Sequence, residues 1–248
     1  MTPSSLPLTF EIGRFRWSAS WYMTLLTLVG VVLFIQLGRW QWHRAAQARA
    51  VFAQFAAGTA TPTDLGQRPM DSMARYAQVR LQGHYDGAHQ FLLDNMSVQG
   101  RTGYEVLTPL VLADGRTVMV NRGWVPGDPT RRVLPDVQLH THAVQTVIGR
   151  IDHLPVVGIS LGHIPPKPGG NWPKVTSFPT TADLEAALGR PLQSRQVLLN
   201  ADQGLGYTRD WHPTGFGPGR HLSYAVQWWC FATLALILYG ALNRRKAT

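Results

Sequence analysis

The chain has 248 residues, 45% hydrophobic and only 15% charged, with 9 Trp, 9 Phe and 7 Tyr. A charged share so far below the roughly 25% of a soluble globular chain implies that part of it does not face water, and the aromatic content excludes wholesale disorder. The single cysteine, Cys230, excludes an internal disulfide framework and a Cys-based zinc site, while the net charge of +9 invites a nucleic acid or an anionic membrane as partner.

The charges leave two gaps. No residue from Trp17 to Leu37 is charged, and none from Leu222 to Leu242. Each stretch is long enough, at about 1.5 Å per residue, to span a hydrocarbon core of about 30 Å. Trp and Tyr stand near the ends of both, as interfacial anchors do. Buried core helices are the alternative, but such long runs without a charge are uncommon in soluble cores. The first stretch could also be a signal peptide, with Arg14 and Arg16 as its charged region and Ala46-Gln47-Ala48 as its cleavage site. Its apolar run exceeds a signal's 7–15 residues, so it is read as an uncleaved anchor.

Arg14 and Arg16 precede the first span, and Arg244, Arg245 and Lys246 follow the second. Positive residues in short tails favour the cytoplasmic side, so both termini are expected there. The expected division is a cytoplasmic tail (1–16), a transmembrane helix (17–38), an extracytoplasmic domain (39–221), a second transmembrane helix (222–242) and a basic cytoplasmic tail (243–248). Five of the basic residues then serve orientation and the rest are dispersed, so no nucleic-acid partner is expected. The lipid bilayer is the expected surface.

The segment from 39 to about 55 has few breakers and is expected to continue the first helix, until the Thr- and Pro-containing stretch 58–69 stops it. Strands are expected at Ala77–Tyr85, where apolar and polar residues alternate, at His89–Asp94, and at Tyr104–Ala113 and Arg116–Val125. The last two flank Asp114-Gly115, a dipeptide suited to a two-residue type I′ hairpin turn. Further strands are expected at Ala143–Arg150 and Gln196–Ala201. Thr180 is placed to cap a helix over 183–188 that Gly189 stops, and 158–179 and 204–219 read as long loops. The fold class is therefore a membrane protein of α+β type, with two transmembrane helices flanking a β-rich antiparallel extracytoplasmic domain.

Catalytic motifs are missing: there is no Gly-x-Ser-x-Gly, Walker A, His-Glu-x-x-His or Cys-x-x-Cys sequence. Cys230 lies within a span and reads as packing. His140 and His142 would share one face of a strand as two metal ligands could, with surface histidines as the alternative. Asp94, Glu105 and Asp202 have no spacing that marks an acid/base pair, and no enzyme is expected.

The second span opens with His221, Tyr224, Ala225, Trp228 and Ala232 on one helical face. Such a face suits a flat metal-centred macrocycle: His can ligate iron, aromatics pack on the ring, and Ala leaves room. The alternative is an interfacial His with an aromatic belt that packs on the first span.

Three motifs carry a resemblance: Leu37-Gly38-x-Trp40-Gln41-x-x-Arg44, Asn121-Arg122-Gly123-Trp124-Val125-Pro126, and His221-Leu222-x-Tyr224-Ala225-x-Gln227-Trp228. In type and order they resemble the signatures of the Surfeit-locus family of cytochrome c oxidase assembly proteins, with two terminal spans and one intervening domain. Two positions depart from the family pattern: Ala48 stands where Lys is frequent, and Arg220 where Asn is. The resemblance implies a non-catalytic chaperone role in building the respiratory-chain oxidase, as a membrane assembly factor that assists haem a insertion into the catalytic subunit alongside other assembly factors. It also implies haem a as a transient cofactor and His221 as its iron ligand, with Tyr224 and Trp228 beside it. A structural partner of the oxidase that never touches haem is the alternative, and a membrane-tethered enzyme a third class. The excess of Arg over Lys and the abundant Ala and Gly suggest a bacterial plasma membrane.

Overall fold

The computed structural model describes residues 8–12, 15–58, 61–141, 143–156, 162–213 and 215–246. Arg14 and His142 lie outside the described residues. Two compact units emerge: one from the N-terminal segment to Ala53 together with Pro213 to the C-terminus, the other from Gln54 to His212.

The first unit is built on two helices, α1 (Trp21–Ala57) and α3 (Pro218–Leu242). Both are long and apolar enough to cross a membrane. At 37 residues, α1 is about 55 Å long and exceeds a bilayer core by several turns. It runs without interruption through Ala46-Gln47-Ala48. α3 begins earlier than expected, because Pro218 sits in its first turn, where a missing N–H costs nothing.

The helices pair antiparallel. The Thr24 and Tyr239 hydroxyls lie 2.6 Å apart, the Phe34 and Trp228 rings stack at 5.8 Å, and Gln41 bonds His221 at 2.8 Å. As α1 advances, its partner recedes at nearly the same pace. The buried residues of α1 within this unit are Val31, Gly38 and Ala45, and those of α3 are Ala225 and Ala232. A seven-residue spacing is the seam of a left-handed helix pair, and small seam residues let backbones approach closely in lipid. The tails add a small sheet. β1 (Leu8–Ile12) pairs with β2 (Phe15–Ala19), and β2 with β11 (Arg244–Lys246), all antiparallel. The sequence reading treated these segments as tails only.

The second unit is one eight-stranded sheet: β3 (Thr63–Asp64), β4 (Gln78–Tyr85), β5 (Phe91–Val98), β6 (Arg101–Leu112), β7 (Thr117–Pro126), β8 (Gln145–Asp152), β9 (Lys174–Thr176) and β10 (Gln196–Leu199). The order is β3-β4-β8-β10-β7-β6-β5-β9, and β4 also pairs with β6. The strands β4, β8, β10, β7 and β6 thus close a five-stranded barrel, which leaves none of these five as a free edge. Most pairings are antiparallel, as expected; β3–β4, β5–β9 and β7–β10 are parallel, so the sheet is mixed.

Period-two alternation aims Val79, Leu81 and Tyr85 of β4, Val118 and Val120 of β7, and Val147 and Ile151 of β8 into one buried cluster. On another face Phe91, Leu107 and Met119 meet Leu184 of α2 (Thr181–Leu188). Thr180 caps α2 through a reciprocal capping box with Asp183, and Gly189 ends it at φ 69°.

Two expectations need correction. β9 lies within the stretch read as loop, where only three residues pair beside β5 and carry too short a pattern to see. The hairpin turn is also not a two-residue type I′. Of Asp114 and Gly115 only Gly115 has positive φ, at 84°. The Gly115 N–H bonds the Leu112 carbonyl, and the Leu112 N–H bonds the Arg116 carbonyl. That is a three-residue loop, a type I turn followed by a left-handed glycine. Asp114 instead accepts the Arg116 backbone N–H at 3.1 Å.

Candidate functional site

The third motif places His221 at the start of α3, half-buried. Its Nδ1 lies 2.8 Å from the Gln41 side-chain oxygen on α1. An amide oxygen only accepts, so Nδ1 is the donor of this bond, and in the neutral imidazole the lone pair is then on Nε2. No bond to Nε2 is made among the described residues. The Phe216 ring stands edge-on to the imidazole at 6.3 Å.

The rest of the expected face divides. Tyr224 is 44% exposed. Trp228 is occupied, stacked on Phe34 and edge-on to Phe231. Ala225 and Ala232, expected as room for a macrocycle, are buried at 0% and 5%. The antiparallel register sets them opposite Gly38 and Val31, so that room is used by helix packing. A group held by His221 would meet the imidazole and Tyr224, with Trp228 behind them.

In the first motif Gly38 has a steric reason. A Cβ there would fall 2.2 Å from the Trp229 indole nitrogen, so the indole lies across α1 only because the side chain is absent. Gln41 faces the pair, whereas Trp40 and Arg44 are exposed, Arg44 donating to Gln47 at 3.1 Å. Gln227 is exposed on α3.

The second motif is internal to the barrel unit. Asn121 and Arg122 are 0% and 3% exposed. Asn121 donates to Glu105 at 2.6 Å and accepts the Gly123 N–H at 3.2 Å. Burial pushes the Glu105 carboxyl above its ordinary range, against the opposing pull of Asn121. Arg122 follows Val118 and Val120 on the inward face and closes the barrel end. It donates to the Leu205 carbonyl at 2.6 Å and to Gln90 Oε1 at 3.0 Å, and lies 4.9 Å from the Tyr207 ring. Burial lowers its pKa and raises that of nearby Tyr85 to about 12.

Gly123, at φ 110°, sits at a bulge where a Cβ would meet the Thr208 carbonyl at 2.7 Å. Trp124 reaches the Met96 carbonyl at 3.0 Å and exchanges backbone bonds with Thr208. Asn121-Arg122-Gly123-Trp124 is thus a staple that holds segments 87–90, 96 and 205–208 to the barrel. Gln90, Thr108 and Tyr207, which complete it, carry no sequence pattern of their own.

The remaining candidates do not converge. Asp94 pairs with Arg131, Glu105 with Asn121, and Asp202 is exposed. His140 lies in a loop rather than on a strand, because β8 starts only at Gln145. No three potential metal ligands cluster among the described residues. Cys230 is exposed on α3. A cavity of about 950 Å³ in the barrel unit lies over Tyr85, Asp86, Gln90, Asp136, His140 and Trp172.

Residues 28–233 match the SURF1 family. Uncharacterized SURF1-like proteins of Mycobacterium tuberculosis and Mycobacterium bovis are each 30% identical to the chain over 231 residues, 89% of this chain and 82% of theirs. The match spans both helices' motifs and the Asn121–Pro126 staple together, and the chain belongs to the SURF1 family.

Proposed function

We propose that this membrane protein is an assembly factor for haem-copper cytochrome c oxidase that assists haem a insertion into the catalytic subunit, with no catalytic role of its own. The SURF1 family is associated with cytochrome c oxidase assembly, and the oxidase subunit is the partner this reading names. The observation that carries the haem part is the Gln41–His221 pair, which fixes one ring nitrogen and leaves the other open. Metal-ligating histidines are held in this way by an outer partner. When bound, haem a would supply redox iron, and His221 would be the residue that holds it. The chain's own part is to hold the imidazole through Gln41, present Tyr224 beside it, and brace Trp228 against Phe34.

We place both termini in the cytoplasm and the barrel outside a bacterial plasma membrane. The pairing of β2 with β11 supports the first half of this, since it brings the two tails to one end of the helix pair. The basic residues of the tails support the side. A reporter active only outside the cytoplasm, inserted at Gly66, tests it; inactivity there would reverse the orientation.

The experiment for haem is His221→Ala in cells that make haem a. The variant is expected to accumulate normally, lose haem absorbance and lower oxidase activity. A second reading, a structural partner that never touches haem, draws on the motif residues being used internally: Asn121 to Trp124 are all buried in the staple. Under it the wild-type protein purifies free of haem and any loss of oxidase follows protein abundance.

A further inference from the structure

On α1, just past its apolar stretch, Arg39, Trp42 and His43 share one side of the helix. Together with Trp229 of α3 they line a cavity of about 230 Å³. The two indoles form its apolar wall, 6.0 Å apart between ring centroids. Neither Arg39 nor His43 has a hydrogen bond or ion pair among the described residues, and both are exposed. Arg49 extends the same stripe two turns on, its guanidinium 5.7 Å from the Trp42 ring.

Three features of this patch want a common cause. Basic residues that orient the chain stand in its tails, at the other end of the helix pair, so orientation does not account for Arg39 and His43. Indoles settle at the headgroup level of a bilayer, and the patch lies where the apolar stretch ends. Gly38 also gives up its side chain so that Trp229 can lie flat and reach Trp42. We propose that Arg39, His43, Trp42 and Trp229 form a binding site for the phosphate headgroup of an anionic phospholipid. The guanidinium and imidazole meet the phosphodiester, and the indoles cover the glycerol and first methylenes. The site is formed by other side chains than His221 and Tyr224 and does not rest on the haem reading.

The test uses full-length protein, delipidated in neutral detergent, and labelled phosphatidylglycerol or phosphatidylcholine. Wild type should retain phosphatidylglycerol in preference. Arg39→Gln with His43→Gln should weaken phosphatidylglycerol binding by about tenfold, and phosphatidylcholine, whose choline offsets the charge of its phosphodiester, less, since an Arg near a membrane surface favours anionic lipid. Both residues are exposed, so folding, followed by circular dichroism, should not change. A charge-matched control, Arg132→Gln with His140→Gln, both exposed in the barrel unit, should bind as wild type does. Equal loss in the control, or an undiminished preference in the Arg39/His43 variant, would overturn the site. So would full displacement of the lipid by millimolar inorganic phosphate, which would mark a free-anion site.

Discussion

His221 and Gln41 stand on opposite helices, 180 residues apart in sequence, with the imidazole Nδ1 2.8 Å from the amide oxygen. A polar pair at this depth is costly to leave unmatched, and each group here answers the other. Gln41→Leu keeps the volume and removes the acceptor. The imidazole is then free to rotate and change tautomer. Losing such an outer partner typically costs 10–100-fold in metal affinity. Haem retained per mole of Gln41→Leu protein is therefore expected to fall about tenfold, with His221 still in place. Unchanged retention would show that Gln41 serves the helix pair alone.

Gly38 and Trp229 test the packing independently of any cofactor. A Cβ at Gly38 meets the indole nitrogen at 2.2 Å, so Gly38→Val must displace Trp229. Trp229→Ala opens that space. The two changes share one contact, and their combined cost should be less than additive by about 1 kcal/mol or more. Thermal melts of the two single variants and the double variant in detergent give this coupling. Strict additivity would mean that the indole does not lie over Gly38.

The helix seam leaves a trace in the sequence: Val31, Gly38 and Ala45 recur every seven residues, as do Ala225 and Ala232. Sequence alone offers the two alanines as room beside a haem, because it holds no register to place them against Gly38. A period-two pattern marks β4, the Asp114-Gly115 turn signal marks β6 and β7 on either side of it, and Thr180 with Gly189 marks α2 at both ends. Barrel closure was not legible, since the β4–β6 pairing depends on which strands meet at Gly83 and Leu112. Gln90, Thr108 and Tyr207 escaped notice for the same reason. Each matters only because the fold brings it to Arg122.

The hairpin after β6 gives a third prediction. Gly115 holds φ 84° with nothing within 4 Å of a built Cβ. Space is therefore not the constraint; the backbone conformation is. Gly115→Val places a β-branched residue in the left-handed region, and the barrel unit should lose about 1 kcal/mol or more. Gly115→Asn, which tolerates this region, should lose less. Equal melting temperatures for the valine variant and wild type would contradict the turn.

The last prediction concerns Glu105 and pH. Its carboxylate accepts the Asn121 side-chain N–H at 2.6 Å. Burial raises its pKa above the ordinary 4.5 and outweighs the lowering by Asn121 and His212. A carboxyl whose folded pKa is raised favours the folded state while protonated. That contribution is full below the unfolded value and is lost as pH rises through the folded one. Stability should therefore decline from about pH 4.5 upward until Glu105 is fully ionised. Glu105→Gln keeps an acceptor for Asn121 and carries no charge. It should lack this part of the decline and exceed wild type at pH 8. Asp86 and Asp183 have lowered pKa values, because bonds from His89 and Arg190 to the one and from Thr180 to the other outweigh their burial. They act in the opposite sense, losing stability as pH falls below about 4. Both proteins share them, so the difference between the two melting curves isolates Glu105. Parallel curves from pH 4.5 to 8 would show that Glu105 ionises in the folded barrel as readily as in the unfolded chain.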